Sequence, residues 1–415
     1  MTGRVASASL AVWLIGVVGC KARTQSAPVV VEASGDGASA GLTDRPRCQP
    51  PQQVSALGAP GTDVEVGSAI QSGSGLALAL AHSGAGEGRF AAVALLTPDA
   101  SAVRLVDLGP LRGDAPPPRI AWRGVDGKDL VVVAELGTGL SVLGLGGDGN
   151  RKLLFKMQDV PPDSAVDVAA SADRGIVVWE ATASLAKGRT RGVVRAAMFE
   201  GAGRAGPTAE LSSADSDVDS PRVVASRSGY FVVWTARGTE PLVVTDGGSA
   251  VAEVASESHV PRWLEVVVLD NRGSPLGPPR RLTPTTGHVG SFDLMLGRVD
   301  GPGSLLVASR DDGALELVRV HSDGTSETPT TVPSEGLGAG APNFVEGVQP
   351  WLSWAGPREQ VMMLPVETSP ALPSSEDSFD ESQPLLANAE GKVLAVAPAT
   401  SAGGTPELRV FSCSR

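Results

Sequence analysis

The chain has 415 residues, 42% of them hydrophobic, and a formal net charge of −12. That is enough apolar material for a large core, while the acidic balance excludes a protein that tracks nucleic-acid phosphates with clustered Lys and Arg. With 51 Gly, 32 Pro and aromatics at 4%, the composition favours many short elements joined by turns over long helices.

The first element is an export signal. Residues 1–4 carry one side-chain cation, and residues 10–18 (LAVWLIGVV) are apolar throughout. That run is too short to span a hydrocarbon core of about 30 Å. It ends in Val17-Val18-Gly19-Cys20, which resembles the lipobox of bacterial lipoproteins: branched aliphatic, small, small, cysteine. The resemblance implies cleavage after residue 19, acylation of the Cys20 thiol and anchoring to a membrane through that lipid. Lys21 stands where some lipoproteins carry an inner-membrane retention aspartate, so the resemblance favours the outer membrane or cell surface. Residues 20–51, rich in Ser, Ala, Gly and Pro, read as a flexible tether, because they cannot bury enough apolar surface to offset their ordering entropy.

The remainder, 52–415, is repetitive. A glycine followed by a short apolar strand recurs at Gly75, Gly127, Gly175, Gly229, Gly303, Gly347 and Gly391. Blade-type repeats of about 40–50 residues fit this spacing, with one larger insertion in the fourth unit. Each glycine-led strand is preceded by another, such as RIAWRG or PRVVASR, and followed by a third, such as LEVVVLDNRG or LELVRVHSDG. Most units add a more polar fourth strand, such as KLLFKM. The unbroken apolar character of the second strand predicts cover on both of its faces, and the fourth reads as an outer edge. The expected fold is all-β: a seven-bladed β-propeller of four-stranded antiparallel blades. Trp179, Trp234 and Trp354 near strand ends, Trp122 in a first strand and the single tyrosine, Tyr230, are assigned to packing.

The last unit has three strands, and residues 52–58 (QQVSALG) resemble a spare fourth, so an N-terminal strand is expected to complete the last blade. Antiparallel pairing of the two would bring Cys48 near Cys413. With Cys20 assigned to lipid, a Cys48–Cys413 disulfide is expected, against the alternative of two free buried thiols. In the chain-entropy model such a long closed loop is worth about 4–5 kcal/mol.

The search for chemistry returns little. His82, His259, His288 and His321 show no metal-ligand spacing, no Gly-x-Ser-x-Gly elbow occurs, and neither a metal nor a cofactor is expected. Ser171-Ala-Asp173-Arg-Gly175 and Ser309-Arg-Asp311-Asp-Gly313 resemble the opening of the sialidase Asp-box turn. Val178 and Glu316 replace the following aromatic, so the likeness is assigned to turn chemistry and no catalytic residue follows. Asp215, Asp217 and Asp219 alternate as in an EF-hand opening, but Ser220 and Ser226 replace its glycine and final glutamate.

In a propeller, the connections between blades emerge on the same face as those joining second to third strands. The longest connections belong to those classes: 183–191, 236–262 and 367–381. Asp215, Asp217 and Asp219, with Glu376, Asp377, Asp380 and Glu381, are therefore expected to form an acidic rim. Such a rim would dock a cationic ligand or a basic envelope protein; the alternative is charge that merely keeps loops soluble. The functional expectation is a lipid-anchored binding or scaffold module. The alternative is a glycan hydrolase with channel-face carboxylates.

Overall fold

The computed structural model describes residues 47–48, 52–54, 63–72, 75–83, 88–97, 103–123, 129–171, 174–185, 190–201, 205–238, 260–297, 304–311, 314–332, 341–345, 351–355, 360–365, 372–378, 385–389, 392–400 and 406–414. Cys20, Asp380, Glu381, the export signal and most of the expected tether lie outside them.

The first strands are β1 (Arg47–Cys48) and β2 (Gln52–Val54), treated below with the last sheet. The first sheet holds β3 (Val64–Ser72), β4 (Gly75–Ser83), β5 (Arg89–Leu96) and β6 (Val103–Pro110). The second holds β7 (Arg119–Arg123), β8 (Asp129–Leu136), β9 (Gly139–Leu145) and β10 (Arg151–Met157). The third holds β11 (Val166–Ser171), β12 (Arg174–Ser184), β13 (Thr190–Glu200) and β14 (Ala209–Glu210), and the fourth β15 (Ser216–Ala225), β16 (Gly229–Gly238), β17 (Arg262–Asp270) and β18 (Arg280–Arg281). The fifth holds β19 (Ser291–Gly297), β20 (Ser304–Asp311), β21 (Ala314–Val320) and β22 (Thr330–Val332). The sixth holds β23 (Asn343–Val345), β24 (Trp351–Ala355), β25 (Gln360–Pro365) and β26 (Leu372–Ser378). The last holds β27 (Leu385–Ala389), β28 (Lys392–Thr400) and β29 (Pro406–Ser414).

Within each sheet the strands pair antiparallel in chain order. The first strands also touch in cyclic succession: β3 meets β7, then β11, β15, β19, β23 and β27 follow, and β27 returns to β3. Sheets arranged radially around their innermost strands make a β-propeller. The seven sheets formed by the described residues are compatible with the seven expected blades.

The seam joins the two ends of this unit. Both β1 and β2 pair with β29, in registers that set Cys48 opposite Cys413 and Gln52 opposite Val410. Pairing thus begins at Arg47, before the expected boundary at residue 52. The strand pairing expected of 52–58 is confined, among the described residues, to Gln52–Val54.

The second strands show why these sequences stack. Their alternate residues enter different cores, as a period-two strand buried on both faces requires. In β4, Ala77, Ala79 and Ala81 face the second sheet, while Leu76, Leu78 and Leu80 join a separate core. In β16, Tyr230, Val232 and Trp234 pack on the third sheet, and Phe231 and Val233 on the fifth. Trp179, Trp234 and Trp354 are all buried in such inter-sheet cores.

The leading glycines answer to crowding by the third strand. A Cβ on Gly75 would collide with the carbonyl oxygen of Leu96, and one on Gly229 with that of Leu269. At the far end of the third strands, Asp148, Asp270 and Asp323 cap turns. Each carboxylate accepts a backbone N–H two residues on, at 2.8–3.0 Å, ahead of or beside a glycine at φ 75–80°.

Candidate functional site

Two clusters of charge lie on the inner part of the sheets, and sequence reasoning reached only one of them. The first contains two of the expected acidic residues. Asp217 and Asp219 alternate on β15, a strand rather than a calcium-type loop, so they share a face. Asp217 pairs with Arg237, directly opposite on β16, at 2.7 Å and accepts the Gly192 N–H at 2.5 Å. Asp219 pairs with Arg262 from β17 and accepts from the Thr235 hydroxyl. Of the expected acidic rim, the Asp217 and Asp219 carboxylates are thus matched by arginines. Asp215 stands exposed in the turn before β15.

Glu180 on β12, which no sequence motif singles out, joins this cluster. Burial first, then Asp219, raises its pKa above the usual carboxylate range; the Ser220 N–H and Arg237 oppose the shift. Ser220 itself has φ 54°, a left-handed backbone uncommon for serine. Glu376 and Asp377 fall in β26, the edge strand of the sixth sheet, and not in a connection between sheets. The Asp-box-like stretches likewise diverge: one spans the hairpin from β11 to β12, the other that from β20 to β21, so they are not copies of one motif.

The second cluster lies on the innermost strands. Ser68, Arg119, Asp167, Arg222, Asp293 and Asn343 occupy equivalent positions in the first six sheets. They stand opposite Ala79, Val133, Val178, Val233, Ala308 and Ser353 of the second strands. Each is followed by two apolar residues. Alternate members stitch neighbouring sheets: Ser68 Oγ accepts from Ile120 N at 3.1 Å, Asp167 Oδ2 from Val223 N at 2.9 Å, and Asp293 Oδ2 from Phe344 N at 2.7 Å. Each donor is the residue after the ring member of the next sheet. Arg119 donates through Nη1 to the Gly67 carbonyl at 2.5 Å.

Two irregularities aim this ring. In β3 the register shifts between Val66 and Ser68, at Gly67, where a Cβ would collide with the Pro118 carbonyl. In β15 it shifts between Asp219 and Arg222, across Ser220 and Pro221. Bulges re-aim side chains and tolerate proline inside a strand.

Four ring members carry charge, with alternating sign from the second sheet to the fifth: Arg119, Asp167, Arg222, Asp293. All are half-buried. Burial, then repulsion from Arg222, lowers Arg119 to a pKa of about 9, while Asp167 and Asp293 pull the other way. Burial raises Asp293, opposed by the Phe344 N–H and by the Arg222 charge. Among the described residues, no ion pair within 4.0 Å links the four, and the Arg222 side chain makes no hydrogen bond.

Other buried carboxylates are satisfied by neutral donors. Glu265 accepts from the indole N–H groups of Trp234 at 3.1 Å and Trp263 at 2.9 Å. Glu135 accepts from Ser164 N at 3.1 Å and Asp163 N at 3.3 Å, and burial raises it. The described residues contain no group of three or more His, Cys, Asp or Glu side chains that could hold a metal ion.

No protein-family model and no curated protein matches the sequence. Solved structures are similar to it in fold. The β-propeller domain of the Trilobed protease from Pyrococcus furiosus is 11% identical over 84% of this chain and 95% of its own, with a TM-score of 0.47. An α-L-arabinanase of Penicillium chrysogenum is 10% identical over 89% and 98%, TM-score 0.49. The BP39L lectin from Burkholderia pseudomallei is 13% identical over 84% and 95%, TM-score 0.48. A fold does not specify an activity, so the chemistry must come from this chain's own residues.

Proposed function

We propose that the chain is an exported lipoprotein whose propeller serves the cell envelope as a binding or scaffold module, held at the outer membrane or cell surface through lipid on Cys20. The observation that carries this reading is the Val17-Val18-Gly19-Cys20 sequence placed directly after a nine-residue apolar run. Metabolic labelling with a tagged fatty acid tests it. The wild-type chain incorporates label and fractionates with membranes, and Cys20→Ser does neither; equal labelling of both refutes the anchor.

The partner class is an envelope protein or cationic ligand and not a nucleic acid, in keeping with the net charge. With Asp217 and Asp219 already matched by arginines, the exposed Asp215 is a carboxylate of the face that could meet such a partner. Capture from envelope extract that is unchanged by Asp215→Asn would remove this contact.

The Cys48–Cys413 disulfide belongs to the same proposal. Its support is the register that sets the two residues opposite one another. Directly opposed antiparallel residues have Cα atoms about 4.5–5.5 Å apart, within the range a disulfide spans. Oxidation of both thiols passes two electrons to an external disulfide oxidant of the exported compartment. Peptide mapping without reduction detects the linked pair.

A second reading, a glycan hydrolase, is favoured by Glu180. A buried carboxyl whose pKa is raised, beside two carboxylates that pair with Arg237 and Arg262, offers the two unlike environments that a general acid and its partner need. Turnover of a polysaccharide panel that falls sharply in Glu180→Gln would support it; no turnover of any polymer by the wild type would end it.

A further inference from the structure

Among the described residues three large apolar side chains stand exposed, and two of them lie on the outermost strands of adjoining sheets. Leu105 in β6 is 42% exposed and Leu153 in β10 is 54% exposed. Exposed cations accompany both: Arg104 on β6, and Arg151, Lys152 and Lys156 on β10. None of these four forms an ion pair among the described residues.

Register makes them one surface. Arg151 and Leu153 stand opposite Leu145 and Leu143, which belong to the core shared with the first sheet, so both lean toward that sheet. Arg151 Nη1 accordingly donates to the Asp107 carbonyl of β6 at 2.8 Å. From the other side, Arg104 lies against Gly149 in the turn before β10, where a Cβ would come within 2.6 Å of its guanidinium. The neighbouring Asp107 and Asp148 carboxylates are turned to backbone N–H groups two residues on, at 2.9 and 3.0 Å. Other outermost strands carry acid, with Glu210 on β14 and Glu376 and Asp377 on β26. A second basic edge, β18, is two residues long, and its Arg281 lies over the Trp263 ring.

Placement on the rim gives this surface its occupant. The segment proposed to bear lipid joins the paired strands at Arg47, in β1, on the outer side of β29. That last sheet adjoins the first through β27 and β3. We propose that the rim formed by β6 and β10 docks on an anionic lipid surface. Arg104, Arg151, Lys152 and Lys156 meet headgroup phosphates, and Leu105 and Leu153 reach the acyl boundary. A chain of net charge −12 is otherwise repelled by such a surface, so this edge sets which way the propeller lies. The inference rests on the membrane-anchor reading and adds an orientation to it.

Hydrogen exchange on the full-length lipidated protein tests it, in phosphatidylcholine vesicles with and without phosphatidylglycerol. Retention on both kinds of vesicle reports the anchor. Added protection of residues 103–110 and 151–157 on the anionic vesicles alone reports docking. That protection should vanish in about 1 M salt, where the screening length falls to about 3 Å. Lys152→Gln combined with Lys156→Gln should weaken docking about thirtyfold, at about fivefold for each cation near the surface. Arg272→Gln combined with Arg280→Gln, exposed at the fourth sheet, makes the same change in net charge and should leave docking as it was. Protection that is absent, or equal on both vesicles, overturns the proposal; so does protection that follows protein density instead of lipid charge, which would mark a second copy. A chain retained on both vesicles without added protection loses only this inference. One that carries no lipid, yet is protected on anionic vesicles until the two lysines are replaced, loses only its anchor.

Discussion

The two charged clusters use the same residue types on adjoining stretches of β15 and come to opposite arrangements. In the face cluster Asp217 and Asp219 touch Arg237 and Arg262, and each carboxylate is also hydrogen-bonded. In the channel ring Arg119, Asp167, Arg222 and Asp293 alternate in sign and do not touch. The face pairs lie within one sheet: Asp217 faces Arg237 on the next strand, and Arg262 reaches Asp219 from one strand further. The ring members come from different sheets, whose spacing around an axis is fixed by the apolar cores between them. Charges that can relax onto one another become part of the architecture. Charges that packing holds apart keep their capacity for something else.

Substitutions break this contrast in order of size. Glu265→Ala should cost about 3 kcal/mol by chemical denaturation, because two buried indole N–H groups lose their acceptor. Arg262→Ala should cost about 1–2 kcal/mol: it strands a partly buried Asp219, but solvent reaches both partners.

The next prediction concerns pH. Arg119 has a folded pKa below its unfolded one, so from about 9 upward the unfolded chain holds the proton that the folded chain has lost. Stability from this group therefore rises with pH through that window. Wild type minus Arg119→Gln, measured on either side of pH 9, should grow in favour of wild type. Asp293 behaves with the reverse dependence. Its pKa is raised on folding, so its contribution grows as pH falls through the raised value toward the unfolded one, and Asp293→Asn should lack that gain. Smallest of all, Arg222→Gln should alter stability by less than about 0.5 kcal/mol, since it removes no hydrogen bond. A large loss there would show that the ring is architecture after all.

Much of the fold was legible. Each glycine-led apolar run became a second strand: at Gly75 and Gly229 the third strand's carbonyls leave no room for a side chain, and unbroken apolar sequence marks a strand buried on both sides. The site was far less so. The first strands were read for their apolar content, yet a polar residue followed by two apolar ones recurs in six of them: Ser68, Arg119, Asp167, Arg222, Asp293 and Asn343. Aligning the repeats on that triplet would have found the ring. Alternation alone would not have placed Arg222. The bulge after Asp219 sets Asp219 opposite Thr235 and Arg222 opposite Val233, two residues apart on β16, although three positions separate them in sequence. Nor does sequence reveal that Arg262 would return across a long connection to meet Asp219, so alternating aspartates looked like a free acidic edge.

The pairing of β1 and β2 with β29 sets an order of events. As the chain is made, residues 47–54 emerge first among the paired strands, but their partner at 406–414 comes last. Until then β28 of the last sheet lacks its partner β29, and such an open edge invites pairing with a neighbouring molecule. Contacts of such sequence separation also form slowly. The seam therefore leaves the last sheet unfinished until synthesis has passed residue 414, and a circular permutant cut between β18 and β19 would build every sheet from strands consecutive in the chain.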